Sequence, residues 1–195
     1  VNKLEGFYEL AACGLPAVPW QEYRPHTVLD PALLWTVRTA VLRGSDLDLP
    51  RAVGVTAEKA QAFAAAQLSR TPPPLVLYYP FFCALKSGTL EVAPHRTVIE
   101  AVDKDLWNLV THGRRNVTLV FPQQGPPQSH GDADFLSPAQ VQQLQAAARR
   151  VRSRYRGALA AGQSVLLEWS YGAPSDLQRR ATGDFSLVFL EIRTL

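Results

Sequence analysis

Residues 163–195 read QSVLLEWSYGAPSDLQRRATGDFSLVFLEIRTL, and the rest of the chain is best read outward from them. Gln163–Tyr171 and Phe185–Thr194 are apolar runs rich in strand formers. Gly172, Pro174, Asp176, Gly183 and Asp184 lie between them and favour turns, so the whole reads as a β-hairpin. Each strand carries one carboxylate among apolar neighbours, Glu168 and Glu191. Arg193 lies two residues beyond Glu191, and the two-residue period of a strand puts both on one face. Two readings are open for these residues. They form a corner that holds a metal ion and a phosphate, or an ion-pair cluster on an exposed sheet face.

Upstream of the hairpin, Ser137-Pro138 opens a helix whose Val141, Leu144, Ala148, Val151 and Tyr155 share one face, with Gly157 as the stop. Its second half carries Arg149, Arg150, Arg152, Arg154 and Arg156, which suits the helix dipole. These arginines are read as a solvated face or as a phosphate or nucleic-acid site. Before them, 122–134 (PQQGPPQSHGDAD) has the composition of a mobile loop. Asn116–Phe121 and Thr97–Val102 read as strands, and Asp103–Val110 as a helical turn. Leu75–Leu85 is a continuous apolar run, a buried strand. Lys86-Ser87-Gly88 is expected to turn, with Thr89–Val92 pairing back as a hairpin.

The first third is predicted to begin with a helix over Leu4–Cys13, stopped by Gly14, then an extended Leu15–Pro19 and a loop over Trp20–Thr27. Asp30-Pro31 is a helix-start signal, while Trp35, Thr36, Val37, Thr39 and Val41 favour a strand, so the local signals of 30–43 conflict. A loop over 44–51 and a short strand at Val53–Val55 follow. Thr56 caps a helix running from Ala57 to about Ser69. The linker Thr71–Pro74 divides an expected N-terminal lobe, residues 1–70, from a C-terminal lobe, residues 75–195. The expected fold class is α+β, two lobes with antiparallel sheets backed by helices.

Composition narrows the function classes. The chain has 195 residues, 47% hydrophobic and 19% charged, which describes a globular protein. Net charge is +3, too balanced to argue for nucleic-acid binding. Cys13 and Cys83 are far apart and set no CxxC, so buried free thiols in a reducing compartment are expected. No apolar run of about 18 residues is present, so no membrane span is expected. The opening lacks a basic start followed by an apolar stretch, and a cytoplasmic location is expected. His26, His95, His112 and His130 are read as surface residues. No Gly-x-Ser-x-Gly supports a hydrolase.

Three stretches, in order, resemble one family: the ATP-grasp nucleotide-binding domain of phosphoenolpyruvate synthase and pyruvate phosphate dikinase. Lys3–Pro19 (KLEGFYELAACGLPAVP) is similar to the opening block of a Lys, a short helix and a Gly-Leu-Pro-Val-Pro turn. Leu85–Gly113 is similar to the central block with its Ser-Gly hairpin, here Ser87-Gly88. Leu136–Arg193 is similar to the closing block, with Leu167-Glu168-Trp169 and Leu190-Glu191-Ile192-Arg193 standing for its Ile-Glu-Trp and Leu-Gln-x-Arg strands. Val37-Arg38-Thr39-Ala40 resembles a fourth motif, a strand whose arginine binds phosphate.

The resemblance implies an ATP-grasp-like fold with an ATP site between two lobes. Lys3, Arg38, Ser87, Gly88 and Arg193 would hold the nucleotide, with Arg38 and Arg193 acting on the phosphates. Glu168 and Glu191 would hold Mg²⁺. The acceptor would be a separate phosphocarrier protein or a small carboxylic acid. The departures are specific. Val1 and Asn2 stand where the family has two glycines, Asp105-Leu106-Trp107-Asn108 replaces a Gly-Leu-Gly-Glu turn, and Leu166 stands at an acidic position. They imply a catalytically degenerate binding or regulatory protein as the alternative. Nucleic-acid binding through the arginine helix, Arg114-Arg115 and the aromatic run Tyr78–Phe82 is a third reading.

Overall fold

The computed structural model describes residues 2–42, 49–106, 109 and 111–195. The expected turns at 44–51 and 103–110 fall partly outside these, as does Val1. Two antiparallel sheets with helices make an α+β fold, as expected from the strand and helix signals.

The first sheet has the order β1-β4-β2-β3 (Gln21–Glu22, Leu75–Pro80, Leu34–Ala40 and Arg51–Thr56). The conflict over residues 30–43 resolves to strand. Asp30 does start a structure, but it is a turn: the Ala32 amide donates to Asp30 Oδ1 at 2.8 Å and the Leu33 amide to Asp30 O at 3.3 Å. The β-formers from Trp35 on then decide, because a strand here pairs on both sides, with β3 and β4. Trp35 and Val37 face helix α2 (Ala57–Leu68), whose Ala60 and Ala64 complete a small core beneath the sheet. Thr56 caps α2 as predicted, accepting from the Lys59 amide. Thr36 and Arg38, on the other face, line a cavity between the sheets.

The second sheet has the order β10-β9-β5-β6-β7-β8 (Ser186–Thr194, Val165–Pro174, Phe82–Val92, Arg96–Asp103, Val117–Pro122 and Gln128–Gly131). Helix α3 (Pro138–Arg154) covers one face, packing Leu144, Ala148 and Val151 into a core with Leu167 and Trp169. The closing hairpin forms as expected.

Four local expectations change. Lys86-Ser87-Gly88 is no turn but the interior of β5, and the reversal comes after Val92. Glycine is required there by space: Gly88 pairs with Trp169, and a Cβ would run into the Trp169 ring and the Glu100 carbonyl. The run 75–85 is two strands, and β4 pairs in the first sheet, so the change of sheet falls after Pro80 and not at the 71–74 linker. The segment 122–134 contains edge strand β8. Gly157 does not stop the long helix; it sits inside a short one, α4 (Arg156–Ala160), after the cap at Tyr155.

Candidate functional site: a carboxylate row facing the cleft

Helix α1 (Lys3–Ala12) is capped by Asn2 and Glu5 in a reciprocal capping box. Gly14 turns the chain back with φ +66°, and Pro16–Val18 then lie along the outer edge of β10. The Phe189 amide donates to Pro16 O at 2.7 Å, and the Val18 amide to Phe189 O at 3.3 Å. This return path lays α1 against Ile192 and delivers Lys3 to Glu191.

A register shift in β10 after Phe189 aims the carboxylate. Phe189 pairs with Trp169; regular pairing would then put Leu190 opposite Glu168. The bulge puts Glu191 there instead. The row continues across the sheet: Glu191, Glu168, Thr89, Glu100, Thr118 and His130 are successive register partners. All share the face away from α3, the face that meets Thr36 and Arg38 of the first sheet.

The charges are unevenly satisfied. Lys3 Nζ lies 2.9 Å from Glu191 Oε2, and Arg193 Nη1 3.3 Å from its Oε1. Burial pushes the Glu191 carboxyl up, but the charge and hydrogen bond of Lys3, helped by Arg193 and Arg38, outweigh it and hold the group below its ordinary value. Glu168 goes the other way. Burial first, and the Glu191 charge second, raise it against the pull of Lys3 and Arg193. Two adjacent carboxylates with opposed shifts leave Glu168 as the oxygen donor that gains most from a cation.

Among the described residues, no group of three or more His, Cys, Asp or Glu is placed to hold a metal. The Glu168–Glu191 pair therefore supplies too few ligands for a closed protein site. It fits Mg²⁺, which is bound by one or two carboxylates and completes its shell with water and phosphate oxygens.

Beside the row lies a cavity of ≈ 180 Å³ with mostly apolar walls, including Phe81, Phe82, Leu106 and Leu190. Arg38 lines it, and its Nε is buried without a hydrogen-bond partner among the described residues. Ser87 lines it too, but its hydroxyl is already used. It donates to Lys104 O at 2.6 Å, which makes Ser170 the donor in the 2.8 Å Ser87–Ser170 bond. Gly88 is buried under Trp169.

The structure thus brings together Lys3, Glu168, Glu191 and Arg193, with Arg38 close enough to act on Glu191. Sequence reading missed Glu100, the third carboxylate of the row. It stands two strands from Glu168, about 10 Å away at the usual strand spacing, and pairs with Arg115 at 2.7 Å. Its one signal was strand alternation: Ile99 and Ala101 are buried, and Glu100 between them is not. Leu166, where the resemblance expects an acid, pairs with Arg193.

The arginine helix is largely fastened to its own fold. Arg150 donates to Gly14 O, Arg154 pairs with Glu9 at 3.2 Å, and Arg152 donates to the carbonyls of Ala93, Pro94 and Arg96. Tyr78 packs against Tyr23 and Trp35. Cys13 is buried and Cys83 half-buried, both free thiols, and all four histidines are exposed. No helix among the described residues is long and apolar enough to cross a membrane.

No protein-family model and no curated protein matches the chain. Solved structures similar to it include N5-carboxyaminoimidazole synthetase from Staphylococcus aureus, at 7% identity and TM-score 0.48, over 95% of this chain and 41% of that one. L-amino acid ligase from Bacillus licheniformis matches at 11% identity and TM-score 0.48, over 98% of this chain and 39% of that one. Pyruvate carboxylase from Rhizobium etli matches at 17% identity and TM-score 0.47, over 98% and 14%. The chain spans about two fifths of the length of the first two. None of the three is a phosphoenolpyruvate synthase or a dikinase.

Proposed function

We propose that this chain is an ATP-grasp-like domain that binds Mg²⁺·ATP in the cleft between its two sheets. One observation carries the reading: Glu168 and Glu191 face each other across β9 and β10, with Lys3, Arg193 and Arg38 around them. Carboxylates for a divalent cation and three cations for phosphate oxygens then meet on one cleft-facing surface. At ≈ 180 Å³ the apolar cavity is smaller than the about 300–1,000 Å³ of pockets that take a whole drug-sized ligand. It suits the base alone, with the phosphates reaching along the sheet to Glu168.

Glu168 and Glu191 would hold the cation, which would supply positive charge to offset that of the phosphates. The protein's own part is positional. Lys3 and Arg193 hold Glu191 ionised, and Arg38 offers a buried N–H to an anion. In this proposal a phosphoryl group then passes to a separate phosphocarrier protein or a small carboxylic acid.

A second reading keeps the binding and drops the transfer, making the domain a regulatory one. Leu166 favours it, because an aliphatic side chain faces Arg193 where the resemblance expects a carboxylate.

Thermal unfolding tests the binding. Mg²⁺ and ATP at 100 times Kd are expected to raise Tm by about 5–10 °C over the nucleotide-free chain. Glu168→Ala, compared with its own nucleotide-free Tm, is expected to lose the rise. No shift in the unaltered chain at millimolar nucleotide contradicts the reading. Turnover of ATP that vanishes in Glu168→Ala decides for transfer over regulation.

A further inference from the structure

On the far side of the second sheet, away from the cleft, helix α3 and the ends of β6 and β7 enclose a groove. It consists of a hollow of ≈ 630 Å³ and a smaller one of ≈ 210 Å³, and Arg152 lines both. Arg149 and Arg152 of α3 and Arg156 of α4 form one wall. His95 and Phe121 belong to the opposite wall, and Leu159 to the floor of the larger hollow.

Among the described residues, no carboxylate lines either hollow. Three arginines thus share one hollowed surface with no carboxylate among its described lining. Arg24, Arg115, Arg154, Arg180 and Arg193, by contrast, each pair with a carboxylate, whereas none of the three groove arginines is in an ion pair among the described residues. The charge of Arg152 remains, because its acceptors are three backbone carbonyls. Arg156 donates to Ser153 O, the carbonyl three residues back in its own chain. The like charges of Arg149 and Arg152, three residues apart on α3, repel, and an anionic partner removes that cost.

We propose that this groove docks an extended acidic segment of a partner protein, with carboxylates on the arginines and aliphatic side chains on the apolar floor. Bidentate guanidinium–carboxylate pairs supply the recognition. Arg149 and Arg152 belong to α3 and Arg156 to α4, so the basic wall runs on across the junction at Tyr155, as an extended segment would. A single-stranded nucleic acid fits less well. Such sites add exposed aromatic platforms for stacking; here Phe121 is packed against the core, and His95 is the exposed ring among the described lining residues.

The inference is independent of the nucleotide site and is tested without nucleotide. The probe is a fluorescent eight-residue peptide alternating Glu and Leu, titrated with the full chain at low salt and read by anisotropy. Binding is expected, and it should weaken as salt rises. Arg149→Glu with Arg156→Glu should weaken it at least about tenfold. Arg70→Glu with Arg114→Glu changes net charge equally away from the groove and should leave affinity within about twofold. All four side chains are exposed, so both double variants should fold. Absence of binding, salt-independent binding, or equal loss in both double variants overturns the proposal. So does a single-stranded oligonucleotide of the same charge that binds more tightly than the peptide.

Discussion

Glu191 is paired with two cations, Lys3 and Arg193, and Glu168 stands beside it across the strand pair. Burial, and then the charge of Glu191, raise the Glu168 carboxyl against the pull of Lys3 and Arg193. A raised carboxyl means that ionised Glu168 opposes folding above its folded-state pKa. The opposition disappears below its unfolded value, about 4.3. Glu168→Gln is therefore expected to raise Tm at pH 7 by the equivalent of about 0.5–2 kcal/mol. The gain should shrink toward zero as pH falls below 4.3. An equal Tm at both pH values, or a loss at pH 7, shows that the group is better satisfied than its surroundings imply. At this scale the sequence was partly legible. Strand alternation put Glu191 and Arg193 on one face, and it holds. Glu100 was not legible, because pairing it with the Glu168 row takes the register of three strands. Ser87 and Gly88 carried turn chemistry, but burial of Trp169 needs a glycine in the strand, and that requirement comes from a partner far along the chain.

Among the elements, α3 shows how a charge run becomes structural. Arg152 joins the helix to the turn between β5 and β6 through three carbonyls, two of them at 3.1 Å or less. Arg152→Met is expected to cost about 2 kcal/mol of stability, as for hydrogen bonds made by a charged group. Arg149→Met should stay within about 0.5 kcal/mol. Chemical denaturation of the two variants checks this, and equal costs would deny the fastening role. The helix was legible from its cap and period, and both are present, Ser137 with Gln140 and the Leu144–Val151 stripe. Its end was not. Gly157 signals a stop, yet the chain makes a further short helix before Gly162 turns it at φ +83°. Strand β2 was ambiguous because Asp30 serves a turn as well as it serves a helix cap. Pairing on both edges decided it, and that belongs to the sheet.

Over the whole molecule, the two sheets share one core. Ala40, Leu77 and Tyr79 of the first sheet pack in the same buried cluster as Leu90 and Trp169 of the second. The connection from β9 to β10 adds a strap. The Leu34 amide donates to Ser175 O, the Ser175 amide to Phe81 O, and the Arg179 guanidinium lies 5.2 Å over the Phe81 ring. One calorimetric unfolding transition is expected, and two resolved transitions would show that the sheets fold apart. The two-layer plan was legible in the order of strands and helices. The membership of β4 was not, since the linker at 71–74 looks like a boundary and the pairing that overrides it is long-range. The cleft and its carboxylate row arise only from this arrangement. A crystal structure with Mg²⁺ and a non-hydrolysable ATP analogue decides whether the cleft is a nucleotide site. The expected result is a Mg²⁺ ion about 2.0–2.1 Å from carboxylate oxygens of Glu168 and Glu191, with phosphate oxygens completing its shell. An analogue bound elsewhere, or a cleft that stays empty at millimolar analogue, would contradict it.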